Sequence, residues 1–208
     1  EGPWGVSDKV FNYTVLYTGS LSKYILRKVP YDFEYADIQA GIGTPHAVFA
    51  EFTADETLLV RAEAQALLGH YTEALNDLNT ELAAFSKTGV QLTLDEVKKF
   101  YSDDVTAYYT PEKPTPRKAF HTTFAIDKDT EEPMLQCILH LRRIMTVHEG
   151  LRMQDVKRYG ITIYRRDVKS NYKITGITDT MEARDPRLAI QLPQDVITAG
   201  VTPNPRNK

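Results

Sequence analysis

Cysteine is nearly missing from this chain. The 208 residues hold one, Cys137, so no internal disulfide can form. No charge of one sign dominates: 25 Lys and Arg stand against 28 Asp and Glu, a net charge of −3. That balance lacks the basic footprint of a nucleic-acid-binding protein. No apolar run approaches the roughly 18 residues that suggest a membrane span. A Gly-x-Ser-x-Gly elbow, a phosphate loop and a dinucleotide fingerprint are all missing. The five histidines, His46, His70, His121, His140 and His148, show no i,i+4 spacing around a glutamate, so no metal site is expected. Cys137 falls mid-helix among apolar residues, where nothing would activate a thiol. These absences point to no cofactor, no catalytic residue and a protein that is not an enzyme.

What is present suits a globular fold. Hydrophobic residues make up 42% and charged residues 25%, ordinary values for one compact domain of this length. Residues 1–50 read as irregular and aromatic, with Trp4, Phe11, Tyr13, Tyr17, Tyr24, Tyr31, Phe33 and Tyr35 scattered without helical period. A short strand is expected over Asn12–Tyr17, and Pro30, Gly41, Gly43 and Pro45 punctuate the rest as loop.

From Phe52 onward the period becomes helical. Thr53-Ala-Asp-Glu56 reads as a capping box, followed by Leu58, Leu59, Ala62, Ala66 and Leu67 at helical spacing. Gly69 ends that helix in the left-handed cap conformation. A second helix begins near Tyr71, with Tyr71, Ala74, Leu75, Leu78, Leu82 and Phe85 as its apolar stripe. So short a link makes the pair antiparallel. Ala62, Gly69, Tyr71 and Ala74 have the spacing of one tetratricopeptide hairpin. Thr93-Leu-Asp-Glu96 is a second capping box, with Leu92 and Val97 in hydrophobic-staple positions. Residues 103–130, with Pro111, Pro114 and Pro116, read as a long connection, functional or mobile. A buried helix follows over about 131–148, because its apolar residues wrap more than one face. Helix 151–159, a hairpin pairing Ile161–Tyr164 with Tyr172–Ile174, and a proline-rich loop from Asp185 complete the chain. The expected fold is all-α: tetratricopeptide-like helical hairpins with long loops and a small β-hairpin. Segments 1–50, 51–160 and 161–208 form its aromatic, helical and terminal parts.

Two stretches carry a resemblance. Phe52-Thr-Ala-Asp-Glu-Thr-Leu-Leu-Val-Arg-Ala-Glu-Ala64, continuing to Ala74-Leu-Asn-Asp-Leu-Asn79, resembles the SusD/RagB family of nutrient-binding lipoproteins. Glu149-Gly-Leu-Arg-Met-Gln-Asp-Val-Lys-Arg-Tyr-Gly160 is similar to that family's Glu-Gly-x-Arg-x-x-Asp-x-Lys-Arg-aromatic-Gly signature. Leu192-Pro-Gln and Asn204-Pro205 are similar to its terminal loop. The blocks span about residues 45–205 in matching order. The family often has Trp where Tyr159 stands and a Glu where Thr146 or Val147 stands, and its Gln-Asn-Pro ending is incomplete here. The chain starts Glu-Gly-Pro-Trp, and the resemblance implies a carboxy-terminal part whose lipidated cysteine lies upstream.

The resemblance implies a protein on the extracellular face of the outer membrane, lipid-anchored. It would capture an oligosaccharide or other nutrient for a SusC-like TonB-dependent transporter, without cofactor or metal. The family binds ligand at loops outside its repeat helices, which makes the aromatic segment 1–45 the place to look and Trp4, Tyr31 and Tyr35 the ligand-binding candidates. Sugar C–H faces stack on flat rings. Two other readings compete: a tetratricopeptide scaffold that binds peptides, and a glycoside hydrolase using Glu149 and Asp155. Glu149, Arg152, Asp155 and Arg158 alternate in sign every three residues. An ion-pair lattice that also takes in Arg61 and Glu63 is the expected arrangement. A catalytic acid would need isolation from such cations.

Overall fold

The computed structural model describes residues 1–12, 17–20, 23–26, 28, 31–147 and 149–206. The strand expected over Asn12–Tyr17 falls largely outside them, as do Tyr13, Pro30 and His148. In chain order the elements are α1 Ser7–Val10, β1 Tyr17–Ser20, β2 Lys23–Leu26, β3 Tyr31–Asp37, β4 Ile42–Ala47, α2 Ala54–Leu67 and α3 Tyr71–Phe85. They continue with α4 Leu94–Phe100, α5 Glu131–Met145, α6 Arg152–Tyr159, β5 Ile163–Val168, β6 Ile174–Met181 and α7 Gln194–Thr198.

The all-α expectation is corrected: the fold mixes α and β. Besides the helices, the described residues hold three two-stranded antiparallel sheets, β1–β2, β3–β4 and β5–β6, where one hairpin was expected. Hairpin β3–β4 was read as loop for a physical reason. Most of its side chains are exposed on both faces, so no buried face imprints a clear alternation. Pro45, opposite Phe33, also looked like a breaker. Among the described residues β3 is the one strand paired with β4, which leaves its other edge open there, and a strand edge tolerates a missing N–H. The Asp37 carboxylate accepts from the Gln39 and Ala40 amides at 2.9 and 3.0 Å and so builds the turn. At Gly43 any side chain would collide with the Glu34 carbonyl of β3. The third hairpin also differs from expectation. Its first strand is Ile163–Val168, and Val168 pairs with Ile174, so the second strand begins at Ile174 and runs on to Met181. The carboxy-terminal loop contains a 3-10 turn, Pro186–Leu188, and the five-residue α7, entered through Pro193.

The helices form where the local signals place them. The Thr53 hydroxyl accepts from the Glu56 amide, and at Thr93 the capping box is reciprocal. Helix α2 ends in a Schellman motif. Gly69 has φ +78°, its amide donates to the Ala66 carbonyl, and the His70 amide donates to the Gln65 carbonyl. Residues 68–70 then turn the chain back so that α3 runs antiparallel along α2. Ala62 and Ala66 of α2 and Ala74 of α3 are fully buried, and small side chains permit that close approach. Helix α5 lies against α2, α3 and α4, and eleven consecutive residues, Glu132–Arg142, are buried. Cys137 is among them, a free thiol that burial pushes up to about 12.

Residues 103–130 have little regular structure but many anchors. Arg117 binds Asp103 at 2.6 Å and the Thr106 carbonyl at 3.1 Å. Gln136 of α5 exchanges two hydrogen bonds with the Lys118 backbone. The Tyr108 hydroxyl donates to Glu132 at 2.5 Å, and the His121 amide donates to the Tyr159 carbonyl at 2.8 Å. The bonds at Thr106, Lys118, His121 and Tyr159 satisfy backbone groups that have no helix or sheet partner, and the two side-chain pairs pin the connection in place.

Candidate functional site

The Glu149–Gly160 segment supplies part of a buried ion lattice. Helix α2 brings Glu63, α5 brings Arg142, and α6 brings Asp155, Arg158 and Tyr159. Arg142 donates to Glu63 Oε2 at 2.5 Å, to Asp155 Oδ1 at 2.6 Å and to the Leu59 carbonyl at 3.3 Å. Glu63 Oε1 accepts from the Tyr159 hydroxyl at 2.6 Å and from Arg158 Nε at 2.9 Å. Burial pushes the Glu63 carboxyl up, but Arg142, Tyr159 and Arg158 outweigh it and hold it below the ordinary value. Burial pushes Asp155 up, against the pull of Arg142 and Arg152. Arg152 stands at 3.8 Å from Asp155. Arg61 lies outside the lattice and pairs with Asp77 of α3.

Glu149, the other carboxylate weighed for hydrolysis, belongs to a different cluster. Lys28 Nζ reaches Asp55 at 2.5 Å, Glu149 at 2.9 Å and the Met145 carbonyl at 2.7 Å. Glu81 of α3 adds a buried carboxyl whose Oε1 accepts no hydrogen bond from the described residues. Burial, reinforced by Asp55 and opposed by Lys28, pushes it up to about 7. Sequence reasoning missed Glu81, although a signal existed. It stands three residues after Leu78 and seven after Ala74, on the helix face that the apolar stripe buries.

The predicted ligand-binding aromatics part company. Trp4 is a core residue, 5% exposed, with its ring 5.3 Å from Phe11 and 4.9 Å from His140 and its Nε1 donating to Ser7. Tyr31 opens β3 opposite Ala47, and its side chain lies outside the description. Tyr35 is 55% exposed, edge-on to Phe33 at 4.8 Å. Around the hairpin turn Ile38 and Ile42 are also exposed, and Val48, Phe49 and Phe52 follow before α2. Phe52, 90% exposed, borders an open cleft of about 360 Å³ with Thr53, Ala54, Thr57, Leu58 and Arg61. That cleft combines an aromatic face, two hydroxyls and a guanidinium. Sequence reasoning placed Phe52 in the helix-start motif and missed its exposure, which depends on what packs nearby.

No family model, curated protein or solved structure matches the chain. Among the described residues, no three His, Cys, Asp or Glu side chains gather as a metal cage would. No helix among them is long and apolar enough to cross a membrane.

Proposed function

We propose that this protein is a binding protein that captures a glycan or other nutrient at the outer surface of the cell and passes it to a TonB-dependent transporter, unchanged. One observation carries the reading. Aromatic and aliphatic side chains at 35–52, Tyr35, Phe49 and Phe52 foremost, are presented to solvent on a scaffold whose signature carboxylates are tied to arginine and lysine. Contiguous exposed apolar groups mark interaction sites more often than they occur by default. The Phe52 cleft offers a ring for sugar C–H groups beside Thr53, Thr57 and Arg61 for hydroxyls. A shallow platform of this kind buries little of a sugar, so the affinity is modest. The resemblance to SusD/RagB proteins supplies the transporter and the lipid anchor in this proposal.

The test is a panel of soluble oligosaccharides titrated by calorimetry against the protein and its Tyr35→Ala and Phe52→Ala variants, alongside a reducing-end assay. Binding lost on Phe52→Ala at an unchanged melting temperature supports the reading. Reducing ends that accumulate with the protein and fall on Glu149→Gln would replace it with a hydrolase.

A further inference from the structure

Hairpin β3–β4 stands in solvent. Every residue from Asp32 to Phe52 except Phe33 and Gly43 is exposed, and among the described residues no helix or other sheet packs along the hairpin. A two-stranded hairpin by itself is marginal at best in water, and a third strand or a packed helix ordinarily secures it. The two sides of β3 differ. Side chains alternate across a strand, so Phe33 and Tyr35 stand on one side, their rings 4.8 Å apart, and Asp32 and Glu34 stand on the other. The ladder with β4 is regular from Tyr31 to Tyr35, and its irregularity falls beyond, between Tyr35 and Asp37. The two edges of the hairpin differ as well. Edge strands are commonly guarded by Lys or Pro. Strand β4 carries Pro45, whereas β3 carries neither residue. Among the described residues β3 pairs with β4 alone, so its outer edge is open there. The charge is one-sided. No Lys or Arg occurs between Lys28 and Arg61, while Asp32, Glu34, Asp37 and Glu51 are exposed.

We propose that the open edge of β3 docks an extended segment of a partner protein in which basic and apolar residues alternate, added as a third strand to the hairpin. Main-chain hydrogen bonds along the edge supply affinity, and the side chains on the two faces choose the partner. Opposite charges directly across two strands stabilise the pair, and like charges destabilise it. The basic residues of the added strand therefore lie beside Asp32 and Glu34, and its apolar residues extend the side that holds Phe33 and Tyr35. The same charges decide the kind of occupant. A second copy of β3 would set acid beside acid. A nucleic acid or an anionic membrane surface would meet carboxylates with no cation among them. A sugar stacks on a ring and leaves most of the edge in water.

The probe is a fluorescein-labelled peptide of alternating Lys and Val, titrated with the whole chain in low-salt buffer and followed by anisotropy. Two controls accompany it: a peptide of alternating Glu and Val, and the Lys-Val peptide with a central Pro, which cannot complete a ladder. The Lys-Val peptide is expected to bind about tenfold more tightly than either control, and added salt to weaken it. With Asp32→Lys and Glu34→Lys together, the preference is expected to invert, the Glu-Val peptide becoming the tighter by about tenfold. Misfolding cannot produce that inversion, because it would lower both affinities alike. Equal or undetectable affinity of the parent for the Lys-Val and Glu-Val peptides overturns the proposal. So does full binding of the Pro-containing peptide, or a preference that survives the charge reversal. Self-association of the unliganded chain in sedimentation, abolished by Tyr35→Asp, would give the edge to a second copy and overturn it too. Oligosaccharide titrations test the glycan reading and peptide titrations test this one, so the two fail separately.

Discussion

Glu81 and His140 are each buried in a form that their ordinary ionisation would not choose, and their pH dependences oppose one another. Glu81 is raised from 4.5 to about 7, so the folded state holds a proton that the unfolded chain has released above 4.5. Its contribution is full below 4.5 and is lost as pH rises through 7. His140, buried beside Arg143 and bonded to the Tyr101 hydroxyl at 3.0 Å, is pushed down from 6.5 to about 2. The unfolded chain takes up a proton there that the folded state refuses, so stability falls as pH drops below 6.5. Between about pH 4.5 and 6 the two slopes cancel. Glu81→Gln removes one of them. Its unfolding free energy is expected to rise with pH across that window by about 1.4 kcal/mol per unit, while the parent stays nearly flat. Denaturant melts at three pH values decide it, and parallel profiles would show that Glu81 is ionised in the native state.

Residue-scale energetics also separate the arginines of the lattice. Arg142→Met leaves Glu63 and Asp155 buried without their main counter-charge and is expected to cost about 3–5 kcal/mol. Arg158→Met removes a cation whose side chain is 53% exposed, and about 1 kcal/mol or less is expected. Equal costs in urea unfolding would mean that the lattice shares its charge more evenly than its burial implies.

At the scale of elements, the helix ends test how much a cap is local. Gly69 and Gly160 both have left-handed φ, +78° and +60°. A Cβ on Gly69 meets nothing within 4 Å, whereas one on Gly160 falls 2.5 Å from the His121 carbonyl. Gly69→Ala is therefore expected to cost about 1–2 kcal/mol, the backbone penalty alone. Gly160→Ala adds a clash that pries the 103–130 connection from α6, and a larger loss is expected. Thermal melts of the two variants rank them, and a Gly69→Ala loss as large as that of Gly160→Ala would put the cost in the backbone alone. Ala62→Leu probes the α2–α3 contact in the same way. Overpacking a fully buried alanine is expected to cost about 1–3 kcal/mol, and an unchanged melt would deny the close approach. The two ends of α2 and the start of α4 were legible because each is signalled within about four residues, by the capping boxes at Thr53 and Thr93 and by Gly69. Hairpin β3–β4 was not, since its strands leave most side chains on both faces in water and pair without an apolar face to announce them.

For the whole molecule, the single thiol reports on the core. Cys137 is fully buried on α5, the helix that packs against α2, α3 and α4. A thiol reagent needs the thiolate and a path to it, and burial withholds both. Labelling of Cys137 is expected to be negligible in native buffer and complete in denaturant, with its native rate tracking global unfolding. Rapid native labelling would reveal a local opening of α5.

The sequence by itself determined helices α2 to α6, the caps at Thr53 and Thr93, the antiparallel turn at Gly69, the burial of α5 and the ionic character of the segment from Glu149 to Arg158. Each of these is written in side chains three or four residues apart, where backbone geometry alone brings partners together. Only the tertiary structure decided which partners those charges take. Glu63 meets Arg142 across 79 positions and Arg158 across 95, and Lys28 meets Glu149 where a ladder along one helix had been expected. It also decided that Trp4 is core while Phe52 is surface. Exposure and long-range pairing follow from how elements pack. Packing is a property of the assembled surfaces, which no window of neighbouring residues contains.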